Sequence, residues 1–287
     1  MPELPEVETV RRTLDPLLRG RTIAGFTLNW HRTLEHPTLE AFEYSVVGGL
    51  VSDVSRRGKL ILIRLLTGGA ITVHLRMTGE LLFRPDARTV RNSTRDAYLR
   101  AELSFTDGSE LLFYDTRKFG KIAYRSPDEL LGLEARLGVE PLEPDFTADI
   151  LAALLLARRR QIKPLLLDQA VIAGLGNIYV DESLFRSRIH PLQLSSELGA
   201  ISIDALHTAI VDVLSTAVAL HGTTLRDYRS GLGEPGENQS RLRIYGLKPG
   251  TPCPDCGSPL ERLVIGQRGS IFCPNCQLLP VIDTPRQ

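Results

Sequence analysis

The sequence predicts a two-domain α+β protein, in which a β-rich N-terminal domain with flanking helices precedes a helical domain that ends in a cysteine module. Three observations predict this fold. Apolar residues recur mainly with a period of two before a proline-containing break at residues 141–144, and at helical spacing after it. All four cysteines lie near the C-terminus. We therefore predict domains at residues 2–140, 145–240 and 241–280.

The N-terminal domain is predicted to open with a helix over residues 4–18, because apolar residues recur at helical spacing and Pro5 suits a first turn. Segments that alternate as strands do follow at residues 23–30, 59–66, 70–77, 98–105 and 110–114. Residues 106–109 carry a hairpin turn signal. Short strands with local connections favour an antiparallel β-sandwich or barrel.

The second domain is predicted to be helical. Its expected helices span residues 147–158, 164–169, 177–187 and 202–220. The tight turn at residues 174–177 feeds a helix, as in a helix–turn–helix unit. Residues 229–239 are rich in glycine and polar residues and predict a mobile loop.

Composition narrows the class of protein. The 287 residues include 34 basic and 34 acidic side chains, and this neutral balance argues mildly against DNA binding. A neutral chain can still carry one basic face. No run approaches the roughly 18 apolar residues of a membrane helix, and the acidic N-terminus lacks a secretion segment. We expect a soluble cytoplasmic protein that binds no membrane.

The cysteines form two CxxC pairs, Cys253/Cys256 and Cys273/Cys276, separated by sixteen residues. This pattern predicts a tetrahedral Zn²⁺ site at the ends of a β-hairpin, with an iron–sulfur centre or a metal-free ribbon as alternatives. Four thiolates complete the coordination sphere, so one structural zinc is expected. Arg268 would project from the hairpin tip, where it either contacts phosphate or remains solvated.

The N-terminus offers a nucleophile. After removal of Met1, the nitrogen of Pro2 becomes a secondary amine with a reference pKa of about 7.7–8.0, so a substantial fraction is neutral. A following helix would lower that pKa, while Glu3 and Glu6 would raise it. The alternative is an ordinary helix start with first-turn carboxylates.

Six segments in chain order resemble one known family, the formamidopyrimidine-DNA glycosylases. They are residues 1–10, 56–59, 74–79, 115–120, 174–182 and the four-cysteine module. The resemblance covers residues 2–277. It implies an N-terminal β-sandwich catalytic domain and a helix–two-turn–helix domain with a zinc finger. It also implies a base-excision repair enzyme that removes oxidised purines, such as 8-oxoguanine and formamidopyrimidines, and then cuts the strand.

The resemblance also implies residue roles. Pro2 would attack C1′ of a flipped-out nucleotide and form an iminium, from which β- and δ-elimination follow. Glu3 would act as acid and base, and Glu6 would position the N-terminus. Lys59 would contact the lesion or a flanking phosphate, unless it is a solvated turn lysine.

Further residues are implied to bind DNA. A wedge would fill the gap left by the extruded base, or its apolar members would pack in the core; it comprises Met77, Arg117 and Phe119. The phosphate contacts would be His74, Lys163, Asn177 and Arg268. Asn177 is alternatively a helix cap, and His74 a strand histidine with its hydrogen bonds satisfied.

The segment from Thr223 to Gln239 resembles a loop that closes over the damaged base, where glycines would permit motion. It departs from the family pattern at Glu237-Asn238-Gln239, where the family more often has an aromatic residue before the glutamine. The implied partner is double-stranded DNA with an oxidised or abasic nucleotide, bound by a monomer at the nucleoid of a bacterial cytoplasm. Two alternatives are an endonuclease VIII-like glycosylase for oxidised pyrimidines, which Leu4 disfavours, and a non-catalytic zinc-ribbon protein that binds damaged DNA.

Overall fold

The structure, a computed structural model, describes residues 1–88 and 93–279. The chain divides into two compact units. The first unit combines residues 1–137 with 217–239, and the second combines residues 138–216 with the chain from residue 240 onward. The domain boundaries proposed from the sequence remain a prediction, and the spatial grouping places residues 217–239 with the first unit.

The first unit contains nine strands and four complete α-helices among the described residues. The strands are β1 (Ile23–Leu28), β2 (Leu34–His36), β3 (Val51–Arg57), β4 (Leu60–Leu65), β5 (Ala70–His74), β6 (Gly79–Arg84), β7 (Leu99–Phe105), β8 (Glu110–Asp115) and β9 (Lys121–Arg125). The helices are α1 (Leu4–Leu18), α2 (Leu39–Val46), α3 (Ser93–Asp96) and α4 (Pro127–Glu134).

These strands form the two sheets of the β-sandwich that the sequence predicts. One sheet has the order β1-β7-β8-β6 and the other the order β2-β9-β5-β4-β3. Neighbouring strands are antiparallel except β2 and β9, which are parallel. The predicted strand over residues 70–77 ends at His74, because residues 75–78 form a turn in which Arg76 has a φ of 54°.

One apolar core joins the two sheets. Phe26 and Phe113 enter it from the four-stranded sheet, Ile63 and Val73 enter it from the five-stranded sheet, and Leu14 enters it from α1. Burying a side chain of this size contributes about 1.5–3 kcal/mol. The sandwich is therefore a rigid base for the turns at its strand ends.

Helix α1 begins where the sequence predicts. Glu3 is its N-cap and forms a capping box with Glu6, while Pro5 occupies the first turn. Its buried residues include Val7 and Val10. Because this face packs into the sandwich core, the N-terminal residues are held in place.

The second unit is helical and ends in a hairpin. Its elements are α5 (Ala148–Leu156), α6 (Ile162–Leu166), α7 (Asn177–Arg186), most of α8 (Ala200–Ala219), β10 (Glu261–Ile265) and β11 (Arg268–Phe272). Helices α6 and α7, with the turns between them, form the predicted helix–two-turn–helix. Gly266 and Gln267 join β10 to β11, and their φ values of 53° and 63° are those a two-residue type I′ turn requires.

Helix α8 bears on the expectation that no segment approaches the length and hydropathy of a membrane helix. Among the described residues it is the helix long and apolar enough to cross a membrane, with a mean hydropathy of 1.4 over its most apolar window. Length and composition are weak evidence, because core helices of soluble proteins meet the same criterion. Ile203, Leu206, Ile210 and Leu214 are buried inside the protein, as they are in such a core helix.

Candidate functional site

The segment that carries the predicted nucleophile is buried and held by hydrogen bonds. Pro2, Glu3 and Glu6 are all buried. The backbone N–H of Glu3 donates to Oε2 of Glu6 at 2.8 Å. Negative charge is favoured at a helix N-terminus, so both carboxylates suit this position. The nitrogen of residue 2 thus lies next to a helix start that holds two buried carboxylates.

Glu6 also ties the N-terminal helix to the segment after residue 217. Its Oε1 accepts a hydrogen bond from the backbone N–H of Thr223 at 2.7 Å, and its carbonyl accepts one from the Tyr228 hydroxyl at 3.2 Å. Burial and the neighbouring Glu6 carboxylate hold the pKa of Tyr228 well above its usual value, so the hydroxyl keeps its proton. This geometry suits a positioning role for Glu6.

Lys59 lies in the turn between β3 and β4, and its side chain is largely buried. The adjoining Leu60 pairs with His74 in the sheet. Burial, reinforced by the positive charges of Arg76 and Lys59, lowers the pKa of His74 to about 4. His74 is therefore neutral at neutral pH, and its Nδ1 accepts a hydrogen bond from the Arg76 N–H at 3.0 Å. The proton must then reside on Nε2, which can donate to a phosphate oxygen.

The three residues of the predicted wedge lie in two exposed turns at the ends of strands. The Met77 and Phe119 side chains are 41% and 49% exposed, which excludes the core-packing alternative. The Arg117 guanidinium lies 5.1 Å from the centroid of the Phe119 ring, within cation–π range. The turns therefore present the apolar side chains of Met77 and Phe119 and the guanidinium of Arg117 to solvent.

Asp115, which the sequence-based analysis missed, holds these turns together. Its Oδ1 accepts hydrogen bonds from the Thr78 hydroxyl at 2.5 Å and the Arg117 N–H at 3.0 Å. Its Oδ2 accepts one from the Gly120 N–H at 2.7 Å, and its carbonyl accepts one from Arg100 Nε at 2.7 Å. A signal was available, because an acidic residue that ends a fully buried strand must be hydrogen-bonded there.

The segment predicted to be a mobile loop is packed onto the first unit. The Gly231 carbonyl accepts a backbone hydrogen bond from edge strand β6 at 3.0 Å. At Gly236, a Cβ atom would lie 2.2 Å from the Gly222 carbonyl oxygen, so only glycine fits. Asn238 is buried, and its Nδ2 donates to Thr223 Oγ1 at 2.9 Å. At least Gly236 thus serves close packing, and closure over a damaged base stays a prediction.

Lys163 requires a correction. We expected it to contact phosphate, but its side chain is 0% exposed. Its Nζ donates to Asp181 Oδ1 at 2.6 Å, to the Gly269 carbonyl at 3.2 Å and to Ser270 Oγ. A lysine this deeply buried is retained because it is paired. It anchors β11 to α7 instead of facing a phosphate.

Asn177 contacts β11, the strand that Arg268 begins. Gly176 is the N-cap of α7, so the capping alternative for Asn177 is wrong. Asn177 Nδ2 donates to the Gly269 carbonyl at 3.0 Å, and Arg268 is exposed at the start of β11. A cleft of about 410 Å³ borders Asn177, and its lining includes Tyr245, Lys248 and Arg262. Its two cations and helix start suit an anionic backbone.

The four cysteines meet at the ends of the hairpin. The Sγ atoms of Cys253 and Cys276 are 3.9 Å apart, those of Cys256 and Cys273 are 3.5 Å apart, and all four lie within 4.8 Å of one another. A tetrahedral zinc with Zn–S bonds of about 2.3 Å places its sulfur ligands about 3.8 Å apart. The donor set therefore fits one Zn²⁺ ion and fills its coordination sphere.

Comparisons with known proteins agree with this architecture. Three family models match: the formamidopyrimidine-DNA glycosylase N-terminal domain over residues 1–122, its H2TH domain over 137–229, and a zinc finger found in FPG and IleRS over 250–278. A formamidopyrimidine-DNA glycosylase from Chloroflexus aggregans is 45% identical over 281 residues, covering 97% of this chain and 99% of that protein.

Two solved structures are also similar. A Lactococcus lactis FPG mutant in complex with Fapy-dG DNA has a TM-score of 0.87 and 34% identity, covering 96% of this chain and 100% of that one. A MutM complex with carbocyclic 8-oxo-G DNA has a TM-score of 0.86 with the same identity and coverage.

The fold, the matched domains and the four-cysteine cluster define a bacterial-type DNA-repair glycosylase with a C-terminal zinc finger. The chain belongs to the formamidopyrimidine-DNA glycosylase family, as the three domain matches and the identity over nearly its whole length show.

Proposed function

We propose that this protein is a bifunctional DNA glycosylase and AP lyase that excises oxidised purines and cleaves the strand by β,δ-elimination. One observation carries the proposal. In this family member, Pro2 lies beside two buried carboxylates, those of Glu3 and Glu6, and hydrogen bonds hold the segment in place. The similar solved structures that hold Fapy-dG and 8-oxo-G DNA support a purine lesion as substrate.

The proposed chemistry begins when removal of Met1 frees the Pro2 nitrogen. Its lone pair forms a bond to C1′ of a flipped-out nucleotide while the bond from C1′ to the base breaks, and the base leaves with a proton. The Pro2 nitrogen then loses its proton, and the sugar ring opens as the C1′–O4′ bond breaks and O4′ takes up a proton, which leaves an iminium between the nitrogen and C1′. The iminium makes the C2′ proton acidic. Loss of that proton expels the 3′ phosphate, and a second elimination expels the 5′ phosphate.

The neighbouring residues have separate proposed roles. Glu3 donates and accepts the protons that ring opening and elimination require. Glu6 is a positioning residue, because its two oxygens hold the Glu3 and Thr223 N–H groups. Lys59, largely buried in its turn, contacts the lesion or the adjoining phosphate.

DNA binding is proposed for residues of both units. In the first unit, Met77, Arg117 and Phe119 fill the space that the extruded base leaves in the duplex. The Arg117 guanidinium donates hydrogen bonds to the base that has lost its pairing partner. The phosphates are contacted by His74, Asn177 and Arg268. We withdraw Lys163 from this set because it is buried. The proposed enzyme is a monomer in the bacterial cytoplasm, and its zinc, when bound, crosslinks the hairpin without entering the reaction.

Product analysis tests this proposal. A duplex with one 8-oxoguanine opposite cytosine is incubated with the zinc-loaded protein, and base release and strand ends are measured. We expect a one-nucleotide gap with phosphate at both strand ends. For Glu3→Gln we expect the rate of base release to fall about 10²–10⁴-fold. Cleavage confined to an oxidised-pyrimidine duplex would favour the endonuclease VIII-like branch. Tight binding without cleavage of either duplex would favour a non-catalytic damage-binding protein.

A further inference from the structure

Trp30, the only tryptophan in the sequence, lies against the turn that carries Arg117 and Phe119. The Nζ atom of Lys118 lies 4.0 Å from the centroid of the Trp30 ring. By contrast, the Arg117 guanidinium lies over the Phe119 ring. Consecutive side chains of this turn thus contact two different aromatic rings.

The backbone of Trp30 is tied to the same turn through Arg100. The Arg100 carbonyl accepts hydrogen bonds from the N–H groups of Asn29 at 2.8 Å and Trp30 at 3.2 Å. The buried Arg100 side chain donates to the carbonyl of Asp115, where the turn begins. One residue therefore fixes both the tryptophan and the start of the turn.

The conformation of Lys118 needs outside support. Its φ of 61° is left-handed, which is uncommon for a residue with a long side chain. Such conformations persist where the surrounding contacts hold them. Here the Trp30 ring contacts the Lys118 side chain, and Lys121 Nζ donates to the Arg32 carbonyl at 2.6 Å. Nε1 of Trp30 has no hydrogen-bond partner within the described residues, so this residue contributes the face of its ring.

We propose that Trp30 is a positioning residue for the base wedge. Its ring holds Lys118, and this contact fixes the turn so that Arg117 and Phe119 are ready to enter the space of an extruded base. The inference rests on the proposed function, in which those two side chains enter the duplex. Trp30 itself touches no substrate, and its effect reaches the opposite base through Arg117.

Fluorescence gives a direct test, because the emission of the single tryptophan reports on the Lys118 contact. The zinc-loaded protein is mixed with a duplex that carries a tetrahydrofuran abasic-site analogue, with 2-aminopurine next to it to report wedge insertion. We expect Trp30 emission to change on binding. For Trp30→Leu and Lys118→Met we expect the 2-aminopurine insertion signal to fall about three- to tenfold. The rate of 8-oxoguanine release opposite cytosine, divided by the rate opposite adenine, should fall by a similar factor.

Two variants make the result specific. Trp30→Phe keeps an aromatic face and lacks the unpaired N–H, so it restores insertion if the ring face is what matters. Tyr44→Leu makes a similar change at an aromatic side chain that is 92% exposed on α2, and we expect it to behave as wild type. If Trp30→Leu fails to fold, Lys118→Met and Trp30→Phe carry the test.

Borohydride trapping on a single-stranded abasic oligonucleotide separates this inference from the proposed function, since no opposite base is present. Wild-type protein that fails to trap contradicts the proposed function. Wild-type trapping with unchanged insertion and base preference in Trp30→Leu and Lys118→Met overturns the inference alone. Equal losses of trapping and insertion in both variants, without rescue by Trp30→Phe, would show a merely structural role and also overturn it.

Discussion

At the scale of single residues, the arrangement of Glu6 explains how a short N-terminal segment is held in place. Its carboxylate accepts the N–H of Glu3 and that of Thr223, which is 217 residues away in the sequence. A buried carboxylate is stable only when its oxygens are satisfied. Glu6 thereby joins the residue next to the proposed nucleophile to a distant part of the same unit.

We expect Glu6→Gln to destabilise the protein by about 1–3 kcal/mol, because an amide NH₂ would face one of the two N–H donors. Thermal unfolding measures this loss, and the rate of iminium trapping should fall with it. Glu40→Gln, an exposed change in the first turn of α2, is the control. Unchanged stability and trapping in Glu6→Gln would show that the bridge does not position the N-terminus.

His74 predicts a pH dependence of stability. Its folded-state pKa of about 4 lies below the ordinary value of 6.5, because of burial and the charges of Arg76 and Lys59. As the pH falls from about 6.5 to about 4, the unfolded state binds the proton first, so stability is lost over that window. We expect His74→Gln to lose less stability there than wild type in urea titrations. His190, whose pKa burial also lowers, is present in both proteins. Parallel profiles would contradict this account.

At the scale of elements, polar side chains of helices α6 and α7 hold the zinc hairpin and the segment before it. Lys163 and Asn177 both donate to the Gly269 carbonyl of β11. Glu182 accepts the N–H groups of Arg243, Ile244 and Tyr245 at 2.8–3.0 Å. The hairpin is therefore tied to both α6 and α7, in addition to the metal site at its ends.

Lys163→Met should be strongly destabilising, by about 3–5 kcal/mol, since it leaves Asp181 buried without its cation. The double variant Lys163→Met/Asp181→Leu removes both charges and should recover much of that loss. Chemical denaturation of the three proteins measures both effects. Equal stability of the single variant and wild type would show that the buried pair does not hold the hairpin.

Elements with a regular pattern were predictable, and irregular ones were not. Helix α1, the β7–β8 hairpin and the zinc hairpin follow from periodicity and turn residues. Strand β3 was missed because a register shift between Val51 and Asp53 breaks its alternation. Helix α4 was missed although Ser126 and Glu129 form a capping box, a signal that the sequence displays.

The site shows the same limit. The roles of Pro2 and Glu3 were implied by the family resemblance and stay predictions, while the CxxC spacing predicted the cysteine cluster, whose four Sγ atoms lie within 4.8 Å of one another. The end of a buried strand indicates that Asp115 is hydrogen-bonded, but its partners Thr78 and Arg100 lie in other segments of the chain, and no local pattern identifies them. Lys163 was misassigned because the family resemblance implied a phosphate contact, while the partners that bury its side chain, Asp181 and Ser270, lie far along the chain.

At the scale of the whole molecule, a chain with no net charge still carries cations where DNA contact is proposed. In the first unit these are Arg117 and Lys59, and in the second they are Arg268, Lys248 and Arg262. Net charge describes solubility and long-range steering and does not locate a binding surface. Because phosphate contacts release counterions, we expect affinity for DNA to fall steeply with salt.

Zinc removal should affect the second unit selectively. The hairpin core is small and includes Cys253 and Cys273, so its folding depends on the metal. We expect a chelator to abolish tight DNA binding while circular dichroism retains most of the sheet signal, because the sandwich core contains no cysteine. Restored binding on adding Zn²⁺ is the control. Full binding by metal-free protein would contradict a structural role for zinc.

The central claim is that the amine of Pro2 is the nucleophile, and peptide mapping of the trapped intermediate tests it most directly. The protein, with Met1 removal verified by mass spectrometry, is incubated with 8-oxoguanine duplex and borohydride, digested and sequenced by mass spectrometry. We predict that the reduced sugar is attached to residue 2 and that protein retaining Met1 gives no adduct there. An adduct on Lys59 or another lysine, with residue 2 unmodified, would contradict the account.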